Sequence, residues 1–196
     1  MFGGSFNPIH IGHIQLAQAF VKRLNLDRVL IVPTYIPPHK QCDNSVSPQD
    51  RLQMCRLAVK KLPFAEVSDI EIRRKGASYT YLTLQELAKL YKDDELFLIT
   101  GADMFMSIQS WKHPEIIFSL ATVCGVPRND DDINRLEKQA EYLHTLGART
   151  EILDAGVITV SSTEIRTKIQ NGESTDGLLT DEVRKYIDEN KLYVKS

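Results

Sequence analysis

The sequence predicts one α/β domain, over residues 1–196, built on a doubly wound parallel β-sheet. Short, continuous apolar runs such as RVLIV (28–32) and ELFLIT (95–100) are typical of strands that are buried on both faces. Between these runs lie longer segments in which apolar residues recur at helical spacing. Strands that alternate with helices favour βαβ units, and such units form a parallel sheet with helices on both faces.

The first elements follow from local patterns. Apolar residues at helical spacing predict an amphipathic helix over residues 11–24. The apolar run 28–32 predicts a buried strand that leads into a Pro-rich loop over residues 33–40 (PTYIPPHK). The dipeptide Ser47-Pro48 supplies an N-cap and a proline at the first helical position, so a helix is predicted from there to about residue 62.

The remaining elements complete the alternation. Further apolar runs predict strands at residues 67–72, 95–100, 121–126, 150–153 and 157–160. Helical periodicity and capping signals predict helices at residues 81–91, 132–146 and 181–189, and from SSTEIR (161–166) onward. The acidic segment RNDDDIN (128–134) is interpreted as a solvated loop and helix start.

Composition narrows the classes of function. The formal net charge of −2 gives no electrostatic basis for wrapping a nucleic-acid backbone, so no nucleic-acid partner is expected. The most apolar run, residues 116–126, is too short to span a bilayer, and no signal peptide precedes the first glycines, so no membrane partner is expected. Cys42, Cys55 and Cys124 form no Cys-x-x-Cys pair, which favours reduced thiols in a cytoplasmic protein.

The stretch GGSFNPIHIGH (3–13) carries the first chemical signal. Gly3 and Gly4 lack Cβ atoms, so they can present backbone N–H groups to an anion or simply allow a tight turn. The stretch matches neither the P-loop nor the dinucleotide-binding fingerprint. His10 and His13 face one side of a helix start, where they could donate to phosphate oxygens or serve as a cap and a core side chain. A zinc site lacks a third ligand at suitable spacing, so no protein metal site is predicted.

Other unusual segments follow strands or open helices. PPHK follows the second strand, GADM follows ELFLIT and SST opens a late helix, and in a parallel sheet such segments meet at one edge, where ligands bind. Ser161 and Glu164 fit a capping box, whereas three successive hydroxyls followed by Arg166 suit a polyphosphate. Lys40 in PPHK is either a surface lysine or part of this site. Trp111, the only tryptophan, is either a core residue or a ring available for stacking.

Together these residues resemble the nucleotidyltransferase superfamily with an H-x-G-H signature, which here is His10-Ile11-Gly12-His13. Within it the chain resembles the bacterial nicotinate-nucleotide (nicotinate mononucleotide) adenylyltransferases. The resemblance covers nearly the whole chain through the motifs GGSFNPIHIGH, VPTYIPPHK, SPQDRLQM, GASYTYLTL, ITGADMF, VSSTEIR and VRKYIDENKLY. It implies a Rossmann-like fold and an enzyme of NAD biosynthesis that joins ATP and nicotinate mononucleotide to give nicotinate adenine dinucleotide and pyrophosphate.

The resemblance also implies roles for individual residues. The implied catalytic contacts come from His10, His13, Lys40 and Arg166. The implied ATP-binding residues are Gly3, Gly4, Ser5, Phe6, Gly101, Asp103, Ser161, Ser162 and Thr163. The implied nicotinate-nucleotide subsite is formed by Tyr79, Thr80 and Trp111. Mg²⁺ is the expected cofactor, held mainly by the ATP phosphates and water rather than by protein carboxylates.

The start of the chain departs from the family pattern. Members of the family carry a full first strand before the two glycines, whereas only Met1 and Phe2 stand before Gly3 here. We therefore expect a truncated first strand and a central sheet that lacks a buried member.

Several rival functions stay open at this point. Adenylyltransferases that act on nicotinamide mononucleotide or phosphopantetheine share the general pattern, and the H-I-G-H string also occurs in class I aminoacyl-tRNA synthetases, although this chain has no room for an anticodon-binding domain. A nucleotide-binding sensor without catalysis is an alternative of another class. The histidine pair, Lys40 and Arg166 count against it, because a sensor needs no stabilisation of a leaving group. A homo-oligomer is compatible with the sequence.

Overall fold

The computed structural model describes residues 1–38, 46–127, 130–154 and 160–194, with residues 130 and 131 described by their backbone only. The strands are β1 Phe2–Gly4, β2 Val29–Pro33, β3 Ala65–Val67, β4 Leu96–Gly101, β5 Ala121–Val126 and β6 Arg149–Ile152. The helices are α1 Ile11–Leu24, α2 Pro48–Val59, α3 Ile70–Arg74, α4 Thr80–Leu90, α5 Ala102–Ser107, α6 Pro114–Leu120, α7 Asp130–Thr145, α8 Ser162–Gln170 and α9 Asp181–Glu189. A short 3-10 turn at Ile108–Ser110 lies between α5 and α6.

The strands form one parallel sheet in the order β3-β2-β1-β4-β5-β6. This is the doubly wound order, in which the direction of chain progression across the sheet reverses between β1 and β4. The loops that leave those two strands turn to opposite faces, so a crevice opens at their carboxyl ends. The predicted fold class is therefore confirmed.

Both faces of the sheet are buried because successive strand residues point to opposite sides. Leu98 and Ile99 are adjacent and both buried, yet they belong to different hydrophobic clusters, and Val123 and Cys124 divide in the same way. On the side of the sheet that Ile99 faces, residues of α1, α2, α8 and α9 join its hydrophobic cluster. On the opposite side, residues of α4, α6 and α7 join the cluster of Leu98. Burial on both sides explains why these strands are continuous apolar runs in the sequence.

Strand β1 is three residues long and lies in the middle of the sheet. Phe2 pairs with Ile31 of β2 on one side and with Ile99 of β4 on the other. The carbonyl of Met1 accepts a hydrogen bond from the Ile99 N–H at 2.9 Å. The strand is short, as expected, but the expectation that the sheet lacks this buried member is wrong, because the two glycines are themselves part of the strand.

The predicted strand over residues 67–72 is wrong in its second half. Strand β3 ends at Val67, and α3 starts after two intervening residues. The Ser68 hydroxyl accepts a hydrogen bond from the Ile70 N–H at 3.4 Å, and Asp69 is the N-cap of α3. The serine hydroxyl competes for a backbone donor in this way, which favours a chain turn over the extension of the strand that the flanking apolar residues predict.

Three elements between residues 102 and 120 are absent from the sequence prediction. Helices α5 and α6 have six and seven residues, and a segment of that length is too short for helical periodicity to be recognised. The predicted strand at 157–160 lies, except for its last residue, outside the described residues. Within the described ranges, no helix has both the length and the apolar character needed to cross a membrane.

Candidate active site

A cavity of about 350 Å³ opens at the carboxyl ends of β1 and β4. Gly3 and Gly4 of β1 and Thr100 and Gly101 of β4 form part of its wall. The cavity therefore lies at the point where the strand order reverses, which is where ligands bind in open α/β sheets. Its volume falls within the range of about 300–1,000 Å³ that is typical of small-molecule sites.

Gly4 and Gly101 lie on this wall, and the lack of a side chain matters for a different reason at each position. A Cβ atom on Gly4 would lie 3.1 Å from Cζ of Phe6, whose ring is buried beneath the strand. A Cβ atom on Gly101 would meet no protein atom within 4 Å. Gly4 is thus required by packing under the cavity, whereas Gly101 leaves open space that a ligand can approach.

The two histidines of the H-x-G-H signature stack at the start of α1, with ring centroids 3.7 Å apart. The backbone N–H of His10 donates to Nδ1 of His13 at 3.2 Å. Because Nδ1 accepts, the neutral His13 ring carries its proton on Nε2. Burial lowers the pKa of His13 to about 3 and that of His10 to about 4. Both rings are therefore neutral at pH 7, and Nε2–H of His13 is a hydrogen-bond donor.

The 5–8 turn (residues 5–8, SFNP) connects β1 to α1, and Arg51 of α2 supports its first part. The Arg51 guanidinium is 5% exposed and donates to the carbonyl of Ser5 at 2.7 Å and to the carbonyl of Thr34 at 2.6 Å. Phe6 has φ of 45°, in the left-handed region that side chains rarely adopt. Tertiary contacts of this kind over-determine such a backbone and keep it in place.

The C-terminal part of the chain supports the second half of the same turn. Arg166 donates to the carbonyl of Asn7 at 2.9 Å, and the Ser162 hydroxyl donates to the carbonyl of Pro8 at 2.9 Å. The Tyr193 hydroxyl donates to Oδ1 of Asn7 at 2.6 Å. Helix α8 and the residues after α9 therefore position the turn that precedes the histidine pair.

The start of α8 combines a capping role with these contacts. The Ser161 hydroxyl accepts from the Glu164 N–H at 3.1 Å, so the predicted cap is confirmed. The Thr163 hydroxyl accepts from Arg166 at 3.3 Å. The hydroxyl groups predicted to bind polyphosphate therefore lie beside the 5–8 turn, on the same side of the molecule as the histidines.

The opposite wall of the cavity is aromatic. Tyr79 is the N-cap residue of α4 and Thr80 is its first residue, and both line the cavity together with Trp111. The Trp111 N–H donates to the carbonyl of Ile108 at 3.0 Å, which closes the 3-10 turn before it. Local helix starts and ends thus contribute to the placement of these side chains.

Glu71 is a cavity residue that sequence reasoning missed. Its side chain borders the cavity, is only 2% exposed, and has an Oε2 atom without a hydrogen-bond partner among the described residues. Oε1 accepts from the Thr83 hydroxyl at 2.7 Å. Burial raises the pKa of Glu71, and the hydrogen bond from Thr83 only partly offsets this. The sequence offers one signal for it, a lone acidic residue between two isoleucines inside the predicted strand 67–72.

The predicted site residues fall into two neighbouring groups. Those that line the cavity are Gly3, Gly4, Ser5, Tyr79, Thr80, Gly101, Asp103 and Trp111. Those placed around the 5–8 turn, outside the described cavity wall, are Phe6, His10, His13, Ser161, Ser162, Thr163 and Arg166. The Phe6 ring links the groups, because it packs under Gly4 and lies 5.0 Å from the His13 ring. Lys40 lies outside the described residues.

The described side chains do not form a protein metal site. Within the described part of the chain, no group of three or more His, Cys, Asp or Glu residues could hold a metal ion. A metal ion that takes part in chemistry here would need most of its ligands from a substrate and from water.

Comparison with known proteins agrees with this architecture. The family model described as cytidylyltransferase-like matches residues 1–168. A protein from Desulfitobacterium hafniense (strain Y51), named "Probable nicotinate-nucleotide adenylyltransferase", is 38% identical over 98% of this chain and 94% of its own length. Proteins of the same name from Citrifermentans bemidjiense and Borreliella burgdorferi are 40% and 38% identical over 99% and 100% of this chain, and over 97% and 96% of their own lengths.

Solved structures support the fold. A structure titled "Plasmodium falciparum nicotinic acid mononucleotide adenylyltransferase complexed with NaAD" has a TM-score of 0.77 and 18% identity, covering 98% of this chain and 95% of that one. A structure of a putative nicotinate-nucleotide adenylyltransferase from Vibrio parahaemolyticus has a TM-score of 0.69 and 20% identity, covering 98% of this chain and 92% of that one.

Proposed function

The chain belongs to the cytidylyltransferase-like family, and within it to the nicotinate-nucleotide adenylyltransferases, and from this we propose that it transfers AMP from ATP to nicotinate mononucleotide. An oxygen of the 5′-phosphate of the mononucleotide attacks the α-phosphorus of ATP. The bond between that phosphorus and the oxygen bridging to the β-phosphorus breaks. Nicotinate adenine dinucleotide and pyrophosphate are the products, and the reaction is a step of NAD biosynthesis.

One observation carries this proposal: a single cavity at the strand reversal has glycine backbone on one side and aromatic side chains on the other. Gly101 leaves open space in which a nucleotide can approach the backbone closely, and Gly3 and Gly4 line the same wall. Tyr79 and Trp111 offer ring faces to a second, aromatic substrate. A site with these two halves fits a reaction that joins two nucleotides better than a sensor of one nucleotide.

The nucleophile needs no protein base. The phosphate oxygen of the mononucleotide is already anionic at neutral pH, so catalysis consists of alignment and stabilisation of charge in the transition state. We propose that the Nε2–H of neutral His13 donates a hydrogen bond to a non-bridging oxygen of the reacting phosphate. The ring of His10 stacks on the ring of His13. Lys40 adds positive charge in this proposal.

The pyrophosphate product is assigned to the start of α8. Ser161, Ser162 and Thr163 supply hydroxyl groups there, and Arg166 supplies charge. The guanidinium of Arg166 already contacts the carbonyl of Asn7 and the hydroxyl of Thr163. Arginine has five N–H donors in a planar fork, so these contacts are compatible with a further contact to phosphate. The same side chain would then position the 5–8 turn and bind the leaving group.

The nucleoside of ATP is assigned to the end of β4. Gly101 leaves open space there, and the exposed carboxylate of Asp103 lies on the first turn of α5. A carboxylate at this place can accept hydrogen bonds from ribose hydroxyl groups. The backbone of Gly3, Gly4, Ser5 and Phe6 is assigned to the phosphates.

Nucleotidyltransferases of this family generally use a divalent metal ion with ATP. We propose Mg²⁺, bound chiefly by phosphate oxygens and water, which fits the lack of a group of three metal ligands among the described side chains. Bound there, it supplies charge neutralisation on the triphosphate. A reaction that consumes ATP, in a chain whose described cysteines Cys55 and Cys124 are free and buried, is compatible with the cytoplasm.

The test is pyrophosphate release by the purified protein. ATP and Mg²⁺ are supplied with nicotinate mononucleotide, nicotinamide mononucleotide or phosphopantetheine in separate assays. We expect the fastest release with nicotinate mononucleotide. Faster release with another cosubstrate would show that nicotinate mononucleotide is not the preferred substrate. ATP binding without pyrophosphate release in any assay would contradict the enzymatic function and favour a nucleotide sensor.

A further inference from the structure

Lys112 is the only lysine or arginine side chain among the described residues that line the cavity. Its Nζ lies 4.5 Å from the ring centroid of Tyr79, which is within the range of a cation–π contact. Its neighbour Trp111 lines the same cavity. The ammonium group therefore stands beside the two aromatic side chains to which the pyridine ring is assigned.

The backbone gives Lys112 a defined position. The next residue, His113, has φ of 54°, in the left-handed region, and is the N-cap of α6. Its Nδ1 lies 3.1 Å from Oε1 of Glu115, and its ring packs edge-on against Tyr81 with centroids 4.7 Å apart. A non-glycine residue keeps this backbone where surrounding contacts over-determine it. The 111–113 segment (residues 111–113) is thus a supported turn rather than a free loop.

Two acidic side chains, Glu71 and Asp103, are the other ionisable side chains of the aspartate, glutamate, lysine and arginine types among the described residues that line the cavity. Burial favours the neutral form of the Glu71 carboxyl by raising its pKa. Asp103 lies on α5 after the carboxyl end of β4, on the side assigned to the nucleoside of ATP. The exposed carboxylate of Asp103 therefore stands beside the nucleoside subsite, and the ammonium group of Lys112 beside the pyridine subsite.

We propose that the ammonium group of Lys112 makes this cavity select a pyridine nucleotide that carries a carboxylate over one that carries a carboxamide. This inference rests on the proposed function and names the group that decides its substrate. The acid offers a full negative charge to the ammonium group, so their hydrogen bond is charge-assisted. The carboxamide is neutral, so it offers the exposed ammonium group of Lys112 no matching charge.

Trp111 allows binding to be measured without catalysis. It is the only tryptophan beside seven tyrosines, so fluorescence excited selectively at tryptophan reports on this cavity wall. Wild-type protein and the Lys112→Met and Lys112→Arg variants are titrated with nicotinate mononucleotide and with nicotinamide mononucleotide. We expect Lys112→Met to weaken binding of the acid about tenfold and to leave binding of the amide within about twofold, whereas Lys112→Arg keeps most of the preference. Lys89→Met, at the exposed end of α4, is the matched control and should behave as wild type.

The outcomes separate this inference from the proposed function. An unchanged ratio of acid to amide affinity in Lys112→Met, or an equal loss for both ligands, overturns the role of Lys112 and leaves adenylyl transfer untouched. The same proteins are then assayed for pyrophosphate release with ATP. A wild-type protein that binds the acid with a Lys112-dependent preference but releases no pyrophosphate with any mononucleotide overturns the proposed function instead.

Discussion

The two sides of the candidate active site are held in different ways. The 5–8 turn is fixed by hydrogen bonds from four side chains that lie 46 to 186 residues away in sequence: Arg51, Ser162, Arg166 and Tyr193. The aromatic side, made of residues 78–80 and the 111–113 segment, combines helix starts and a local turn with one anchor to a distant loop, where the Ser78 hydroxyl accepts a hydrogen bond from the Tyr35 N–H at 2.8 Å. A group held from many directions suits the demand of catalysis for fixed geometry. A wall made of short local segments can change its ligand without rebuilding the fold.

The largest effect is expected at Arg51, whose loss removes a support of the fixed side. Arg51→Ala leaves the carbonyls of Ser5 and Thr34 without their donor in a buried place, so the free energy of unfolding should fall by about 3 kcal/mol or more. Arg51→Lys keeps the charge but lacks the planar fork, so it should recover only part of the loss. Urea unfolding measures both. The control Arg56→Ala removes a half-exposed side chain of the same helix and should cost less than about 0.5 kcal/mol; equal losses for the two would refute the role of Arg51.

His13 tests whether the fixed side performs the chemistry. His13→Ala removes the neutral Nε2–H donor, and the turnover number should fall by roughly 10²-fold or more while the Michaelis constants change little. Steady-state rates of pyrophosphate release give this split. His144→Ala removes an exposed histidine of α7 that contacts Thr150 of β6, and this variant should keep the wild-type rate. Unchanged turnover in His13→Ala would exclude the transition-state role.

The same histidines predict how stability depends on pH. Their pKa values in the folded protein, about 3 and about 4, lie below the unfolded value of about 6.5. The unfolded chain therefore binds more protons as the pH falls, so this contribution to stability is full above pH 6.5 and is lost progressively toward pH 4. Each histidine contributes up to about 1.4 kcal/mol per pH unit. Urea unfolding between pH 7.5 and pH 5 should show a shallower slope for His13→Ala than for wild type, and parallel slopes would contradict the buried neutral state.

Trp111 tests the aromatic side. Trp111→Ala removes a ring face of the proposed pyridine subsite, so the Michaelis constant for nicotinate mononucleotide should rise about tenfold, while that for ATP stays nearly unchanged. Tyr142→Ala, which removes an exposed aromatic side chain of α7, is the control. Equal increases for both substrates would mean that Trp111 supports the core rather than one subsite.

The sequence predicts the parts of this structure that depend on local patterns. Buried strands are recognisable because both of their faces are apolar, and helices α1 and α9 begin and end at the predicted residues because their periodicity and end signals are clear. The H-x-G-H signature and SSTEIR are also local strings. For this reason the fold class and most candidate site residues can be named from the sequence.

The remainder depends on contacts between distant residues. Nothing in the string SPQDRLQM indicates that Arg51 reaches the carbonyl of Ser5, because that contact exists only once α2 packs beside β1. Glu71 was assigned to the wrong element, since a five-residue helix leaves no periodic signal. No sequence motif identifies Lys112 as a cavity residue, because its position depends on contact with the ring of Tyr79, 33 residues earlier in the chain. On both sides of the site, the roles of these residues therefore become visible only once distant parts of the chain are in contact.

The smallest effect is expected for Glu71→Gln, and it sharpens the electrostatic description of the aromatic side. Opposing influences act on the pKa of this carboxyl: burial favours the neutral form, whereas hydrogen bonds from Thr83 and Ser78 favour the charged form. The charge of Arg74, 4.0 Å from Oε1, also favours the charged form. Arg74 also donates at 2.8 Å to Glu86 and to the hydroxyl of Thr83, so its charge is largely shared elsewhere. The pKa of Glu71 is raised on balance. Glutamine, neutral and nearly the same shape, should then replace it with little change.

We therefore expect Glu71→Gln to keep the free energy of unfolding within about 0.5 kcal/mol of wild type and the Michaelis constant for nicotinate mononucleotide within about twofold. Glu71→Ala instead leaves the Thr83 hydroxyl without its acceptor and opens space beside the cavity, which should cost about 2 kcal/mol of stability. Urea unfolding and steady-state rates at pH 7.5 distinguish the two variants. If Glu71→Gln were as damaging as Glu71→Ala, the carboxyl would be ionised in the folded protein. An anion would then stand on the same wall as Lys112, and the acid preference would need a second source of positive charge.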